Sequence, residues 1–167
     1  MKIVLLGGGE LGKEFAIEAK RLGLQVFVID NYYNPPAAQV ADKSYVCDML
    51  DGEKLQTLIE SLDVDIIVPE IEAIDTKILY SLEEKGKQVV PSAKAVNMTM
   101  NRDEIRNRAS ELGLKTAKFS YAENCEEYIS KIKKYEYPFV VKPIMSSSGK
   151  GQTIVQDVEE SSYAWHY

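Results

Sequence analysis

Apolar runs closed by glycine or proline alternate with helical periodicity along the first two thirds of the chain. Lys2–Leu6 is a continuous apolar run, as in a parallel strand covered on both faces. Leu11, Phe15, Ala19 and Leu22 recur at helical spacing and predict a helix packed by that face, with Gly23 as its stop. Residues 25–29 predict a second strand ending at Asp30, which makes the opening a βαβ unit. The prolines of residues 31–38 (NYYNPPAA) predict a loop. Residues 44–47 read as a third strand. Gly52–Leu62 reads as a helix turning Leu55, Leu58, Ile59 and Leu62 inward, and residues 66–68 as a fourth strand. Ile78, Leu79 and Leu82 mark another helix closed by Gly86, and residues 88–90 a fifth strand stopped by Pro91. The pattern is that of an α/β chain with a doubly wound, Rossmann-like parallel sheet.

A second pattern follows. Ser92 opens a short helical stretch. Asn101 stands as the N-cap of a helix over residues 102–112, with Glu104 at the third position of a capping box and Gly113 as the stop. Residues 117–121, a helix near 123–134 and a strand at 139–142 begin a second α/β unit. Residues 152–155 return as another strand, and residues 158–167 start a helix. The expected domains are therefore 1–113 and 114–167.

Composition narrows the function. The chain has 167 residues, is 45% apolar and carries a net charge of −6, with a pI near 5.0. A sizeable core follows, and an acidic balance argues against a general nucleic-acid or anionic-membrane surface. Cys47 and Cys125 stand in no metal or redox spacing and read as two ordinary buried thiols of a reducing, cytoplasmic compartment. His166 is the one histidine, which excludes histidine-based triads and His-rich metal sites. No apolar run reaches membrane-spanning length and no signal peptide is expected.

Gly7, Gly9 and Gly12 form G-x-G-x-x-G directly after the first strand, and Asp30 lies where a ribose-binding acid would sit. That pattern suggests a nicotinamide cofactor. Glu10 opposes it: a carboxylate at the helix N-terminus suits the dipole and repels a bound phosphate, so a ligand there should offer an amine or hydroxyls. Glu70 and Glu72 follow the fourth strand, where open α/β sheets bind ligands; in extended backbone they would share a face. A solvated acidic loop is the plain alternative. Residues 139–152, FVVKPIMSSSGKGQ, bring Lys142 to a strand end and follow it with small residues and Lys150. Such a segment can wrap a polyphosphate, although the P-loop spacing is absent and a mobile hairpin loop is the plain alternative. Arg102 sits in a first helical turn, against the dipole, for a ligand or for a surface salt bridge. Tyr32, Tyr33 and the other tyrosines read as packing and surface residues.

Four blocks stand together in order: GGGELGKE (7–14), VPEIEAI (68–74), MNRDEIR (100–106) and VVKPIMSSSGKGQ (140–152). With this spacing the chain resembles the ATP-grasp superfamily and, more narrowly, the formate-dependent phosphoribosylglycinamide formyltransferases of purine biosynthesis. The resemblance covers essentially the whole chain. It implies a pre-ATP-grasp domain followed by the start of an ATP-grasp domain. The implied reaction uses ATP to make formyl phosphate from formate, which then formylates glycinamide ribonucleotide. It implies ATP binding by Arg102, Lys142, Ser147, Ser148, Gly149, Lys150, Gly151 and Gln152, with Lys150 closing over the triphosphate. It places Glu10, Leu11 and Glu70 on ribonucleotide-binding positions, and it implies Mg²⁺ and a homodimer.

The family pattern continues past this chain. Its adenine-contacting hinge, its Mg²⁺ carboxylates and its ribonucleotide-phosphate residues have no counterpart here. The expectation is therefore at most half an ATP site, no metal ligand among the carboxylates named, no assigned catalytic residue and no activity from this chain alone. Three alternatives stand beside the formyltransferase. They are an ATP-grasp carboxylase of the same pathway using bicarbonate, a non-catalytic nucleotide-binding or assembly module, and a nicotinamide oxidoreductase resting on Gly7, Gly9, Gly12 and Asp30.

Overall fold

The computed structural model describes residues 1–144 and 151–166. The chain divides into two compact units, Met1–Asn97 and Met98–Tyr167. The helix at 102–111, grouped with the first domain in the sequence reading, falls in the second unit.

The first unit is a five-stranded sheet of β1 (Lys2–Leu6), β2 (Gln25–Asp30), β3 (Lys43–Val46), β4 (Ile66–Pro69) and β5 (Gln88–Val89), in the order β3-β2-β1-β4-β5. All four pairings are parallel. β1 lies between β2 and β4, with Leu5 opposite Val28 on one side and Val68 on the other. Val4, Leu5, Leu6, Val26, Val28 and Ile29 are fully buried, as expected of strands covered on both faces. After β3 the chain crosses back to the other side of β1, so the strand order reverses between β1 and β4. A crevice opens at their carboxyl ends.

Helix α1 (Glu10–Arg21) corrects the expected packing face. Gly12, Ala16 and Ala19 are its buried residues, whereas Leu11 is 71% and Leu22 77% exposed, and Phe15 also reaches solvent. The reason is distance. A Cβ at Gly12 would already lie 3.0 Å from the Gly7 carbonyl oxygen and 3.1 Å from Leu5 Cδ2. The sheet accepts only small side chains on this helix, with Ala16 and Ala19 packed among Ile3, Leu5, Val26 and Val28. Helix α2 (Gly52–Leu62) buries Leu55 and Ile59, and helix α3 (Thr76–Glu84) buries Ile78, Leu79 and Leu82. Asp51 and Asp75 cap them, accepting the Lys54 and Lys77 N–H groups at 3.2 and 3.0 Å. The Asp42 carboxylate is bonded by Lys20 Nζ at 2.6 Å and the Val26 N–H at 2.7 Å, which holds it below its ordinary range.

Helix α4 (Ala93–Met100) contains the division between the units. The second unit continues with α5 (Arg102–Glu111), α6 (Cys125–Ile132), the antiparallel pair β6 (Phe139–Val141) and β7 (Thr153–Val155), and α7 (Val158–Ala164). Tyr128 is its buried centre, with its hydroxyl donating to the Ser161 carbonyl at 3.0 Å and its ring 5.5 Å from Trp165. One expectation changes here. Asn101 occupies the N-cap of α5, but its side chain makes no cap hydrogen bond. Residues 117–121 join no ladder. They are held by side chains instead, with the Phe119 ring tilted against Tyr121 at 5.4 Å and lying under Arg106, and Lys131 Nζ donating to the Tyr121 carbonyl at 2.5 Å.

Gly7 closes β1 with φ +110, and a Cβ there would lie 2.5 Å from Ile71 Cγ2 and 2.8 Å from Glu70 Oε2. Gly7→Ala therefore combines a disfavoured backbone with a collision. The expected loss is about 1–3 kcal/mol of unfolding free energy, read from urea denaturation. An unchanged midpoint would show that the turn relaxes freely.

Candidate functional site

The crevice of the first unit is built where β1 and β4 end. The Gly7 N–H donates to the Ile29 carbonyl at 2.9 Å, and the Glu70 N–H to the Leu6 carbonyl at 2.9 Å, so both turns are tied to the sheet. Glu10 then opens α1 as an exposed acidic residue in its first turn. Leu11, Glu14, Phe15, Val68, Pro69 and Glu70 line a cleft of about 470 Å³ beside it. Leu11 and Glu70 thus meet in one cleft, with Glu10 next to Leu11 at the head of the helix.

Glu70 is the chemically distinctive group. Its Oε2 is buried and meets no hydrogen-bond donor among the described residues. Burial pushes its carboxyl above the ordinary range, and the charges of Glu72 and Asp30 push it further. The expected extended pairing of Glu70 with Glu72 is not what forms. β4 stops at Pro69, and the chain bends so that the Ile74 N–H reaches the Glu72 carbonyl at 2.9 Å. Glu72 is exposed and acts on Glu70 through its charge.

Asp30 is not placed to hold a ribose. It is 4% exposed, with Oδ2 accepting the Gly8 N–H and Oδ1 the Asn31 N–H, each at 2.7 Å. The Gly8 N–H that a pyrophosphate would need is therefore spent inside the protein, which removes the geometric basis of the nicotinamide reading. Tyr32, read from sequence among the packing and surface residues, stands near this group. Partial burial of its hydroxyl, then the charges of Asp30 and Glu10, raise its pKa. The sequence signal for Asp30 was its place at the end of β2; its inward turn was not legible there.

In the second unit, Lys142 directly follows β6 and is exposed. Arg102, in the first turn of α5, donates from its guanidinium to the Pro143 carbonyl at 2.9 Å, so the helix start and the strand end are joined. Gly151, at φ +68, packs there too: a Cβ on it would meet Pro143 Cγ at 2.8 Å. Gln152 leads into β7. Arg102, Lys142, Gly151 and Gln152 thus gather around one end of the hairpin. Ser147, Ser148, Gly149 and Lys150 lie outside the described residues. Among the described residues no group of three or more His, Cys, Asp or Glu side chains could hold a metal ion.

A switch-point cleft on a parallel sheet, followed in the same chain by a lysine-bearing hairpin, is the plan of a pre-ATP-grasp protein. The family model described as the ribonucleotide synthetase preATP-grasp domain matches residues 1–100, and that of the ATP-grasp domain matches residues 107–167; the chain belongs to the ribonucleotide synthetase preATP-grasp family. Its relatives include the formate-dependent phosphoribosylglycinamide formyltransferases of Bacteroides fragilis, 56% identical over 167 residues, and of Methanocaldococcus jannaschii, 53% identical over 166 residues. Each match takes in 99% of this chain, which spans 43% of either relative's length. Among solved structures, glycinamide-RNase-transformylase T from Mycobacterium tuberculosis superposes at TM-score 0.81 with 31% identity, over 95% of this chain and 44% of that one. N5-carboxyaminoimidazole synthetase from Staphylococcus aureus, complexed with ADP, superposes at 0.87 with 26% identity, over 99% of this chain and 44% of that one. The four sequence blocks therefore pointed to the right family.

Glu70 binds its proton more tightly in the folded chain than in the unfolded one. Stability from this group is full below the ordinary carboxylate range and is lost as pH rises through the raised pKa. Glu70→Gln should therefore gain Tm relative to the unsubstituted chain as pH rises from about 4 to about 7. A Tm difference that does not change with pH would show that Glu70 titrates as a solvated carboxyl.

Proposed function

We propose that the chain serves the ATP-dependent formylation of glycinamide ribonucleotide by formate. It would supply a Rossmann-like substrate domain, residues 1–113, and the first lobe of an ATP-grasp domain, residues 114–167. The single observation that carries the reading is the buried, donor-less carboxylate oxygen of Glu70, set with Leu11 and Glu10 at the switch point of the sheet. Such a group calls for a ligand with an amine or hydroxyls, and the glycinamide end of the ribonucleotide offers an amine. The 53–56% identity to formyltransferases over nearly the whole chain supports formate over bicarbonate as the carboxylate donor.

In this reaction formate attacks the γ-phosphorus of ATP and ADP leaves. The amine of the ribonucleotide then attacks the carbonyl of formyl phosphate, releasing phosphate. Glu10, Leu11 and Glu70 orient the amine-bearing ligand. Arg102 and Lys142 set positive charge at the hairpin end for the triphosphate, joined by Ser147, Ser148, Gly149, Lys150, Gly151 and Gln152. Placing the two substrates and excluding water are the main contributions such residues can make. Mg²⁺ accompanies ATP in the proposal. The described residues do not form a site that fits it, so its ligands are assigned to the part of the family pattern this chain does not span. A cytoplasmic homodimer completes the reading.

The test is ADP release by the full-length protein. Release should require both formate and glycinamide ribonucleotide; release indifferent to formate, or supported equally by bicarbonate, overturns the assignment. In the same protein Lys142→Met should weaken ATP about a hundredfold, as loss of a charge-assisted phosphate contact implies. Glu70→Gln should weaken the ribonucleotide by about tenfold and leave ATP affinity unchanged. Equilibrium binding of each ligand to each variant separates the two sites.

A further inference from the structure

We infer that Asp30 gives the Glu10–Glu70 cleft its preference for a cationic amine, as a positioning residue that acts through its neighbours and not as a ligand contact. The inference rests on the ribonucleotide reading above and names the charge state of the ligand at that site.

Asp30 is the one buried carboxylate among the described residues. No lysine, arginine or histidine pairs with it among them. Its oxygens are held by backbone instead, one by the Gly8 N–H and one by the Asn31 N–H, while its own carbonyl accepts the Cys47 N–H at 2.8 Å. The two carboxylate bonds tie the end of β1 and the loop after β2 to the side chain, and the bond to its carbonyl ties the end of β3 to the same residue. Two consequences follow at the cleft. The Gly8 N–H, a donor that an anion at the helix head would use, is taken. A ligand cation at Glu70 also feels the Asp30 carboxylate, at the carboxyl end of β2 on the far side of β1. The titratable groups around this point are mostly acidic or neutral: Glu10 and Glu14 on α1, Tyr32 after β2, Cys47 after β3, and Glu70 and Glu72 after β4; the cations are Lys13 on α1, bonded to Gln39, and Lys54 beside Cys47, paired with Asp51. Tyr32 and Glu70 both feel the Asp30 charge. The bonds to backbone hold the carboxylate in place, so its field is fixed before a ligand arrives.

The experiment compares two ligands, glycinamide ribonucleotide and the analogue in which a hydroxyl replaces the amine, binding to the full-length protein, by calorimetry or NMR titration near neutral pH. The unsubstituted protein should favour the amine by at least about tenfold. Asp30→Asn and Asp30→Ser, each able to keep an acceptor for Gly8, should lose most of that preference by weakening the amine ligand alone. Asp30→Glu should keep the preference. A merely structural role would weaken both ligands alike, so equal weakening, or an undiminished preference in the neutral variants, overturns the inference and leaves the ribonucleotide reading standing. If neither neutral variant folds, as judged by circular dichroism, the unsubstituted protein decides, and a preference well below tenfold overturns it. Failure of the unsubstituted full-length protein to bind either ligand removes the inference together with the reading beneath it.

Discussion

The close approach of α1 to the sheet is the constraint on which the first unit depends. Gly12, Ala16 and Ala19 let the helix lie against β1 and β2 at a distance where one added methyl group at Gly12 would touch the Gly7 carbonyl. That contact decides more than packing. It rotates Leu11 and Phe15 out of the core and into the cleft wall, and it brings Glu10 to the carboxyl ends of the strands. A helix seated on large apolar residues would stand further off and turn the other way. The cleft is thus a by-product of how the core is filled, which is why its apolar wall and its acidic groups share one short stretch of chain.

Electrostatics then separates this crevice from a dinucleotide site of similar outline. The glycine turn is present, and so is an acid at the end of β2. The acid, however, is folded inward onto the turn. A backbone donor that would greet a phosphate is satisfied by the protein itself, and the remaining polar groups are carboxylates. The same sheet topology can therefore carry opposite ligand preferences according to which way one aspartate points. In the second unit the sign reverses: Arg102 and Lys142 set positive charge at the loop end of a two-stranded hairpin.

Much of this was legible in the amino-acid sequence. The strand order was not, but the five strands and the five α-helices of residues 10–111 were visible from apolar runs and their stops. Gly52–Leu62 agrees residue for residue, and β1 likewise. What failed was the choice of face on α1. Periodicity favours the larger apolar residues, and nothing in a one-dimensional pattern reveals that the sheet leaves room only for alanine and glycine. The segment at 117–121 was legible only as the start of the second unit: its aromatic residues pack on one another and on Arg106 without a neighbouring ladder. At the site, Glu10, Glu70 and Lys142 were legible because each stands at an element's end. Asp30 was visible as an acid in a telling place, but its direction depends on the Gly8 and Asn31 amides, which only the folded turn brings to it.

The two outermost strands of the sheet are unequal to the inner ones. β5 contributes two residues, and β3 contributes four, of which Lys43, Ser44 and Val46 are exposed. Every long, continuously apolar strand is enclosed between neighbours. A foreign chain seeking to extend this sheet by backbone pairing would find a very short rail on one side and a lysine-led one on the other. The arrangement keeps the hydrophobic strands that define the fold from also becoming templates for fibrillar growth.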